Sequence, residues 1–471
     1  MNEKPVRKHQ TVDLTVEEVG FGGKGFARLD NFVVFIGGKT VPGQRLRCRI
    51  RKVRATFAEA VVLEVLEKSA REIQAPCPYF PHCGGCQHQN ISYDWQLQIK
   101  QRQVADLYTH LGNMDIPLLE PILGSETTFH YRNKMEFAFS NQRWLMEGID
   151  EEKPRDFALG LRARGNYWKA IDIDNCLIAP AESAAILQAV RQFALDNRLS
   201  AYDQKKHSGF LRHLVVRKSH RTGNVMVNIV TDTYEKGIFA NLVNTLRDRV
   251  PALLSVVNTV TSSWSGTTSG DSHLLWGEDA LVEGLGDSEY LVSPASFFQT
   301  NTEMAERMYC AVWNLAAIEA EDIVWDLYCG TGSIAIHLAR SAQAVYGFEI
   351  VPQAVADARR NAQRNGIENV RFIEGNLDHL FRKKPELLAD IPAPDLVILD
   401  PPRGGLHPKT LADVIQFAPD RIVYVSCNPA TQVRDLKILI ETGNYAIDRI
   451  QPLDLFPHTP HIEVVTALQR R

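Results

Sequence analysis

No run of roughly 18 or more apolar residues occurs in this chain, and its first ten residues, Met1 to Gln10, contain no apolar core. A membrane-spanning helix needs roughly 20 such residues, and a secretion signal needs an apolar run behind a basic start. Neither membrane insertion nor secretion is expected, so the eight cysteines should meet a reducing, cytoplasmic environment rather than pair as disulfides. Internal repeats are missing too. So is any G-x-G-x-x-G, which counts against a dinucleotide-binding fold. Finally, the chain lacks the excess of positive charge that a nucleic-acid binder usually carries, with a formal net charge of −4.

That charge is unevenly spread. Residues 1–75 hold 14 Lys and Arg against 9 Asp and Glu, whereas the remainder holds 38 against 47. Between 39 and 54 there are seven basic residues and no acid. In Arg45-Leu46-Arg47-Cys48-Arg49-Ile50-Arg51, alternation puts four arginines on one strand face and apolar residues on the other. A solvated sheet face would explain such a strand. Four like charges in a row repel, however, and a polyanion partner accounts for them better. At 471 residues the chain should hold two or three domains. Five short strands with glycine turns over 10–67 predict an oligonucleotide-binding type of β-barrel within 1–70. A central α+β domain is expected over 71–300, opening with a helix over 93–111 that turns Leu97, Val104, Leu107 and Leu111 inward. From 301 to 471 regular strand–helix alternation predicts an α/β domain with a parallel sheet.

Cysteine is concentrated where proline and glycine are dense, in Pro76-Cys77-Pro78-Tyr79-Phe80-Pro81-His82-Cys83-Gly84-Gly85-Cys86. With Cys176 these thiols suit a tetrathiolate site for zinc or a [4Fe-4S] cluster, and the three-plus-one spacing leans toward iron–sulfur.

The α/β segment carries the chemistry. Ile323-Val324-Trp325-Asp326-Leu327 runs into Tyr328-Cys329-Gly330-Thr331-Gly332 and then a helical pattern from Ser333. Strand, glycine turn and helix form a ligand cradle. Glu349 ends the next strand, 19 residues after Gly330, where an acid suits ribose hydroxyls. Asn376 follows the third strand, with an amide suited to an adenine edge. Two further apolar strands end in Asp400-Pro401-Pro402-Arg403-Gly404-Gly405 and in Ser426-Cys427-Asn428-Pro429. Loaded loops at the carboxyl ends of parallel strands point to one site, and Asn428-Pro429 stops the strand so that Cys427 lies at the rim as a candidate nucleophile. A buried small hydrophobe is the plainer reading of any cysteine.

Together these motifs, with Phe297-Phe298-Gln299-Thr300-Asn301 and His461-Ile462-Glu463, resemble the bacterial RNA 5-methyluridine methyltransferases, most closely the 23S rRNA branch. The resemblance spans nearly the whole chain. It implies an N-terminal TRAM barrel, a central RNA-binding domain with a [4Fe-4S] cluster on Cys77, Cys83, Cys86 and Cys176, and a Rossmann-like methyltransferase domain. It places S-adenosylmethionine against Gln299, Tyr328, Ser333, Glu349, Asn376 and Asp400, with serine at 333 where relatives often have Asn or Thr. Cys427 becomes the nucleophile. Glu463, by itself only an acid near the C-terminus, becomes the proton acceptor. RNA contacts are expected from Arg45, Arg47, Arg49 and Arg51 on the barrel, and from Arg132, Lys134 and Phe297 in the central domain. The expected partner is RNA, 23S rRNA first and tRNA second, and the expected state is a monomer. Two rivals remain: an amino-group methyltransferase working through Asp400-Pro401-Pro402 without Cys427, and a non-catalytic RNA-binding or assembly factor.

Overall fold

A computed structural model describes residues 5–114, 116, 119–146, 153–264, 266–383 and 389–471. The N-terminal barrel has six strands rather than five. In sheet order they are Thr11–Thr15, Arg45–Val53, Phe57–Glu67, Phe32–Gly37, Gly25–Leu29 and Glu18–Val19. The extra strand arises because the stretch 11–19 divides, Thr11–Thr15 pairing with Arg45–Val53 and Glu18–Val19 with Gly25–Leu29. Val34, Ile36, Cys48, Ile50 and Ala58 are fully buried inside it.

The helix predicted over 93–111 is α-helical over Tyr93–Asp106 and ends in a π turn over Leu107–Leu111. Its buried face differs from the expected one: Gln96, Ile99, Lys100, Gln103 and Val104 face inward, while Leu111 is exposed. The reason is tertiary. Gln96 accepts the His458 N–H (2.9 Å), Lys100 donates to Asp454 (2.6 Å), and Gln103 donates to the Val19 carbonyl (2.7 Å). This helix fastens the barrel to the C-terminal domain by polar contacts that amphipathic periodicity cannot show.

The central domain is a seven-stranded sheet in the order Asp271–Gly277, Leu253–Val260, Val225–Thr231, Leu211–Lys218, Lys134–Ser140, Ala158–Ala163, Asn166–Asp172. Helices Ser183–Asp196 and Ala240–Arg249 pack their apolar sides on it through Ile186, Leu187, Leu242 and Leu246.

The C-terminal sheet has the order Val370–Glu374, Ala344–Glu349, Ile323–Leu327, Leu396–Leu399, Arg421–Ser426, Glu463–Arg470, Tyr445–Leu453. The first five are mutually parallel, and Glu463–Arg470 enters antiparallel beside Arg421–Ser426. Leu396–Leu399 is wholly buried, as expected of a strand covered on both faces. The hairpin Leu281–Leu285/Ser288–Val292 and Phe298 belong to this core through Leu285, Tyr290 and Val292. The hairpin thus packs with the C-terminal sheet although it lies upstream of the expected boundary at 301. The strand order reverses between Ile323–Leu327 and Leu396–Leu399, the place where open α/β sheets bind ligands.

Candidate active site

At that crevice, Tyr328 and Gly330 are left-handed (φ 69° and 53°) and Gly332 follows at φ 78°. A Cβ on Gly332 would lie 2.6 Å from Phe372, so only glycine brings the helix start this close to the sheet. Glu349 braces the turn, its two oxygens accepting the Gly330 and Val351 N–H groups at 3.1 and 2.8 Å. Gly375 donates to the Glu349 carbonyl (2.9 Å), which sets Asn376 beside it, and Asn376 Oδ1 accepts the Asp378 N–H (2.9 Å). The Phe297 carbonyl accepts from the Thr331 hydroxyl (3.4 Å), which lays Phe297–Gln299 across the glycine turn. Ser333 shares a hydrogen bond with the Tyr309 hydroxyl (2.8 Å). Tyr328, Ser333, Glu349 and Asn376 thus lie in or beside the glycine turn, and Gln299 follows the segment tied to it. The Asp400 N–H donates to the Leu327 carbonyl (3.3 Å) at the end of the neighbouring strand.

The crevice is rich in acid. Asp326 is fully buried, and among the described residues the Ala335 N–H alone is directed at its carboxylate. Burial, then the Asp400 charge, pushes its pKa well above the usual range. Asp400 itself is pushed up to about 7 by burial. Such a set is unfavourable until a cation compensates it. A sulfonium-bearing ligand fits that need.

Cys427 and Glu463 meet through strand register. Ser426 pairs with Val464 in the antiparallel ladder, so the next position on each side opposes Cys427 to Glu463. The thiol is pushed up to about 11 by burial and then by the Glu463 charge, while Arg403 pulls it down by charge and hydrogen bond. Glu463 is buried and held well above the usual carboxyl range by burial and by Asp400. The two residues therefore share one electrostatic neighbourhood with Asp400 and Arg403.

The loop bearing Arg403 is pinned from the helix Pro429–Thr442: the Arg403 carbonyl accepts from Asn428 Nδ2 (3.0 Å), and the Leu406 N–H donates to Asp435 (2.8 Å). A Cβ on Gly405 would sit 2.6 Å from that carboxylate. His461 lies 3.1 Å from the Arg403 guanidinium through Nδ1. Burial and the Arg403 charge lower its pKa to about 4, so it is a neutral acceptor at neutral pH. Arg403, His461 and Asp326 are site residues to which the motifs alone assign no role. Cys329, the other cysteine near the site, is buried and its thiol is pushed far above its ordinary value.

The upstream cysteines also come together. Cys77, Cys83, Cys86 and Cys176 line one narrow cavity with Lys39 and Gln89, and all are free thiols. Burial pushes Cys83 and Cys86 up to about 11 and 12, with neighbouring thiols adding to the shift. Among the described residues no group of three or more His, Cys, Asp and Glu side chains is arranged to hold a metal ion.

The predicted RNA contacts separate into kinds. Arg45 pairs with Glu67 (2.9 Å), and Arg47 with Asp13 (3.0 Å) and Glu64 (3.2 Å). The stripe does lie on one face, but half of it is neutralised by acids on adjacent strands, so mutual repulsion no longer argues for a partner. Arg49 and Arg51 are exposed and have no ion pair among the described residues. Phe297 is 68% exposed. Lys134 is paired with Glu136 (2.5 Å). Arg132 lies over the Phe456 ring (5.5 Å).

Comparison with known proteins agrees with this geometry. The family described as tRNA (Uracil-5-)-methyltransferase matches residues 278–471, and the TRAM domain matches residues 5–63. An uncharacterised RNA methyltransferase of Chlorobaculum tepidum is 38% identical, covering 98% of this chain and 97% of its own. Another, from Caldanaerobacter subterraneus, is also 38% identical over 98% and 99%. Among solved structures, the Pyrococcus abyssi tRNA (uracil-54, C5)-methyltransferase in complex with S-adenosyl-L-homocysteine superposes with a TM-score of 0.76. It is 29% identical and covers 97% of this chain and 99% of its own. No helix among the described residues is long and apolar enough to cross a membrane.

Proposed function

This chain belongs to the family of S-adenosylmethionine-dependent RNA uracil-5-methyltransferases, and from that premise we propose that it methylates carbon 5 of a uridine in folded RNA through a covalent Cys427 adduct. The observation that carries the reading is the opposition of Cys427 and Glu463 beside Asp400 and Arg403.

A uracil ring carbon is a weak nucleophile. Addition of the Cys427 thiolate to carbon 6 forms an S–C bond and moves electron density to carbon 5 as an enolate. Arg403 favours the thiolate. S-adenosylmethionine, when bound, supplies a methyl group on a sulfonium; the residues at the glycine turn, Gln299, Tyr328, Glu349, Asn376 and Asp400, would hold it. Glu463 then takes the proton from carbon 5, and Cys427 leaves carbon 6 with its electron pair to restore the double bond. A buried carboxylate with raised proton affinity suits that step. The uridine has to leave its stack to reach Cys427, and the exposed ring of Phe297, whose carbonyl is held by the Thr331 hydroxyl, would be available to stack on it.

Four free thiols around one cavity support a [4Fe-4S] cluster held by Cys77, Cys83, Cys86 and Cys176. The substrate reading is 23S rRNA. The second reading is tRNA, favoured by the Pyrococcus protein, whose match covers 97% of this chain and so extends through the barrel; possession of a barrel therefore does not distinguish the two.

The decisive experiment uses RNA with 5-fluorouridine at the target position. Fluorine does not leave as a proton does, so a covalent complex should accumulate and map to Cys427. A Cys427→Ala variant that still methylates would hand the reaction to the amino-group alternative. Mapping 5-methyluridine in RNA from cells with and without this protein separates 23S rRNA from tRNA.

A further inference from the structure

We propose that a cleft between the cysteine turn and the central sheet binds the RNA backbone flanking the target uridine, with Arg162, Arg164 and Tyr167 as contacts that no motif revealed. The proposal rests on the RNA-methylation reading above and names where the substrate lies.

The cleft has a volume of about 770 Å³, and Arg132, Lys134, Arg162 and Arg164 face it against a single acid, Glu136. Lys134 is already paired with that acid, so the arginines carry the unbalanced charge. Arg164 spends one donor on the Gly38 carbonyl of the barrel (3.2 Å). Arg162 Nη1 and Arg132 Nε are buried donors with no hydrogen-bond partner among the described residues. Leaving such donors unsatisfied is unfavourable. Phosphate oxygens would satisfy them.

At the cleft's edge Tyr167 is 68% exposed and stands edge-on to Trp168 (4.8 Å), over which Lys205 sits at 4.8 Å. Aromatic faces interleaved with cations suit a single strand, bases stacking while phosphates are neutralised. The cleft also leads to the reaction centre. Thr300 lines it, three residues beyond exposed Phe297, and Arg132 reaches from it to the Phe456 ring.

The walls are fixed by the cysteine turn. Gly84 donates to the Arg162 carbonyl (3.0 Å), Arg164 donates to the His82 carbonyl (2.9 Å), and Cys83 bridges Ala163 between them. The segment that carries the thiols thus also has a mechanical role, holding two arginines in place for RNA.

A free nucleotide or inorganic phosphate could supply the same oxygens, and the test separates these sources. Anisotropy would be measured on a short RNA spanning the uridine that the wild type modifies, over a range of salt. Arg162→Gln/Arg164→Gln should weaken binding roughly tenfold and flatten the log–log salt slope by about 1.4, two phosphates at about 0.7 each. Melting temperature and S-adenosylmethionine affinity serve as folding controls. Should the variant misfold, wild-type protein is titrated with RNA carrying single methylphosphonates; one or two neutral linkages beside the uridine should weaken binding. Tyr167→Ala should weaken it with little change of slope. Unchanged affinity and slope in the folded variant, or no sensitive linkage on wild type, overturns the proposal. So does protection of the wild type by millimolar phosphate or uridine monophosphate alone, equal to that by RNA. Uridine methylation that persists alongside such a result would leave the enzymatic reading intact while removing the cleft.

Discussion

Glu463 illustrates how much a single residue's meaning depends on strand register. Nothing around it in sequence distinguishes it from a surface acid, because its partner Cys427 lies in another strand and only antiparallel pairing of Glu463–Arg470 with Arg421–Ser426 opposes them. Cys427 is legible for the converse reason: strand, Asn and Pro in succession place a thiol at a sheet edge without any long-range information. If Glu463 removes the carbon 5 proton, Glu463→Gln should still form the adduct and still transfer methyl, then stall. Rapid-quench analysis should show a methylated protein–RNA complex that releases slowly; wild-type turnover would assign the base elsewhere. Asp400 makes a second prediction at this scale. Its folded pKa of about 7 lies above the unfolded value of about 3.9, so the folded protein binds the proton more tightly. This group's penalty is absent below about pH 4, grows as pH rises, and is complete above about pH 7, amounting to as much as about 4 kcal/mol. Cofactor-free Asp400→Asn should therefore melt higher than wild type at pH 8, with the gap closing toward pH 4. A gap that is constant with pH would refute the assignment.

Among the elements, the helix Tyr93–Asp106 lies where periodicity places it but turns a different face inward. Periodicity selects apolar side chains, yet this helix buries Gln96, Lys100 and Gln103 because residues 84 to 362 positions away complete their hydrogen bonds. The same packing ties two regions that are far apart in sequence. The Gln87 and His88 N–H groups both donate to the His458 carbonyl (2.7 and 3.0 Å), and Lys100 pairs with Asp454 where both side chains are essentially inaccessible. The segment so held runs directly into His461 and Glu463. Removing one member of a buried pair leaves an uncompensated charge and costs roughly 3–5 kcal/mol. Lys100→Met should lower stability by about that amount in urea unfolding, and Lys100→Met/Asp454→Leu should recover much of it. Equal stability of the single variant and wild type would show that the pair does not hold this junction.

At the scale of the molecule, the domain plan is legible in composition: a basic strand-rich start, a cysteine turn, then regular α/β alternation. The attachment of the hairpin Leu281–Leu285/Ser288–Val292 is not, because it has the local pattern of the preceding sheet and joins the C-terminal core through packing of Leu285, Tyr290 and Val292 and through N–H groups of Glu289 and Leu291 donating to Asn365 and Asn361. The barrel's charge is likewise legible in kind but not in balance. Alternation correctly puts Arg45, Arg47, Arg49 and Arg51 on one face, yet cross-strand neighbours cannot be read from one strand, and Glu67, Asp13 and Glu64 neutralise the first two. Exposed pairs of this sort contribute little to stability, but a paired arginine has less to offer a phosphate than an open one. The stripe should therefore divide. Arg49→Ala/Arg51→Ala should weaken RNA binding and flatten its salt dependence by about 0.7 for each phosphate no longer neutralised. Arg45→Ala/Arg47→Ala should change the slope less, because guanidiniums already paired with acids neutralise fewer phosphates and displace fewer counterions. Anisotropy titrations of both variants on the same RNA decide it. Equal slopes in both variants and wild type would make the whole stripe a solvated sheet face, leaving RNA recognition to the central cleft and the catalytic crevice.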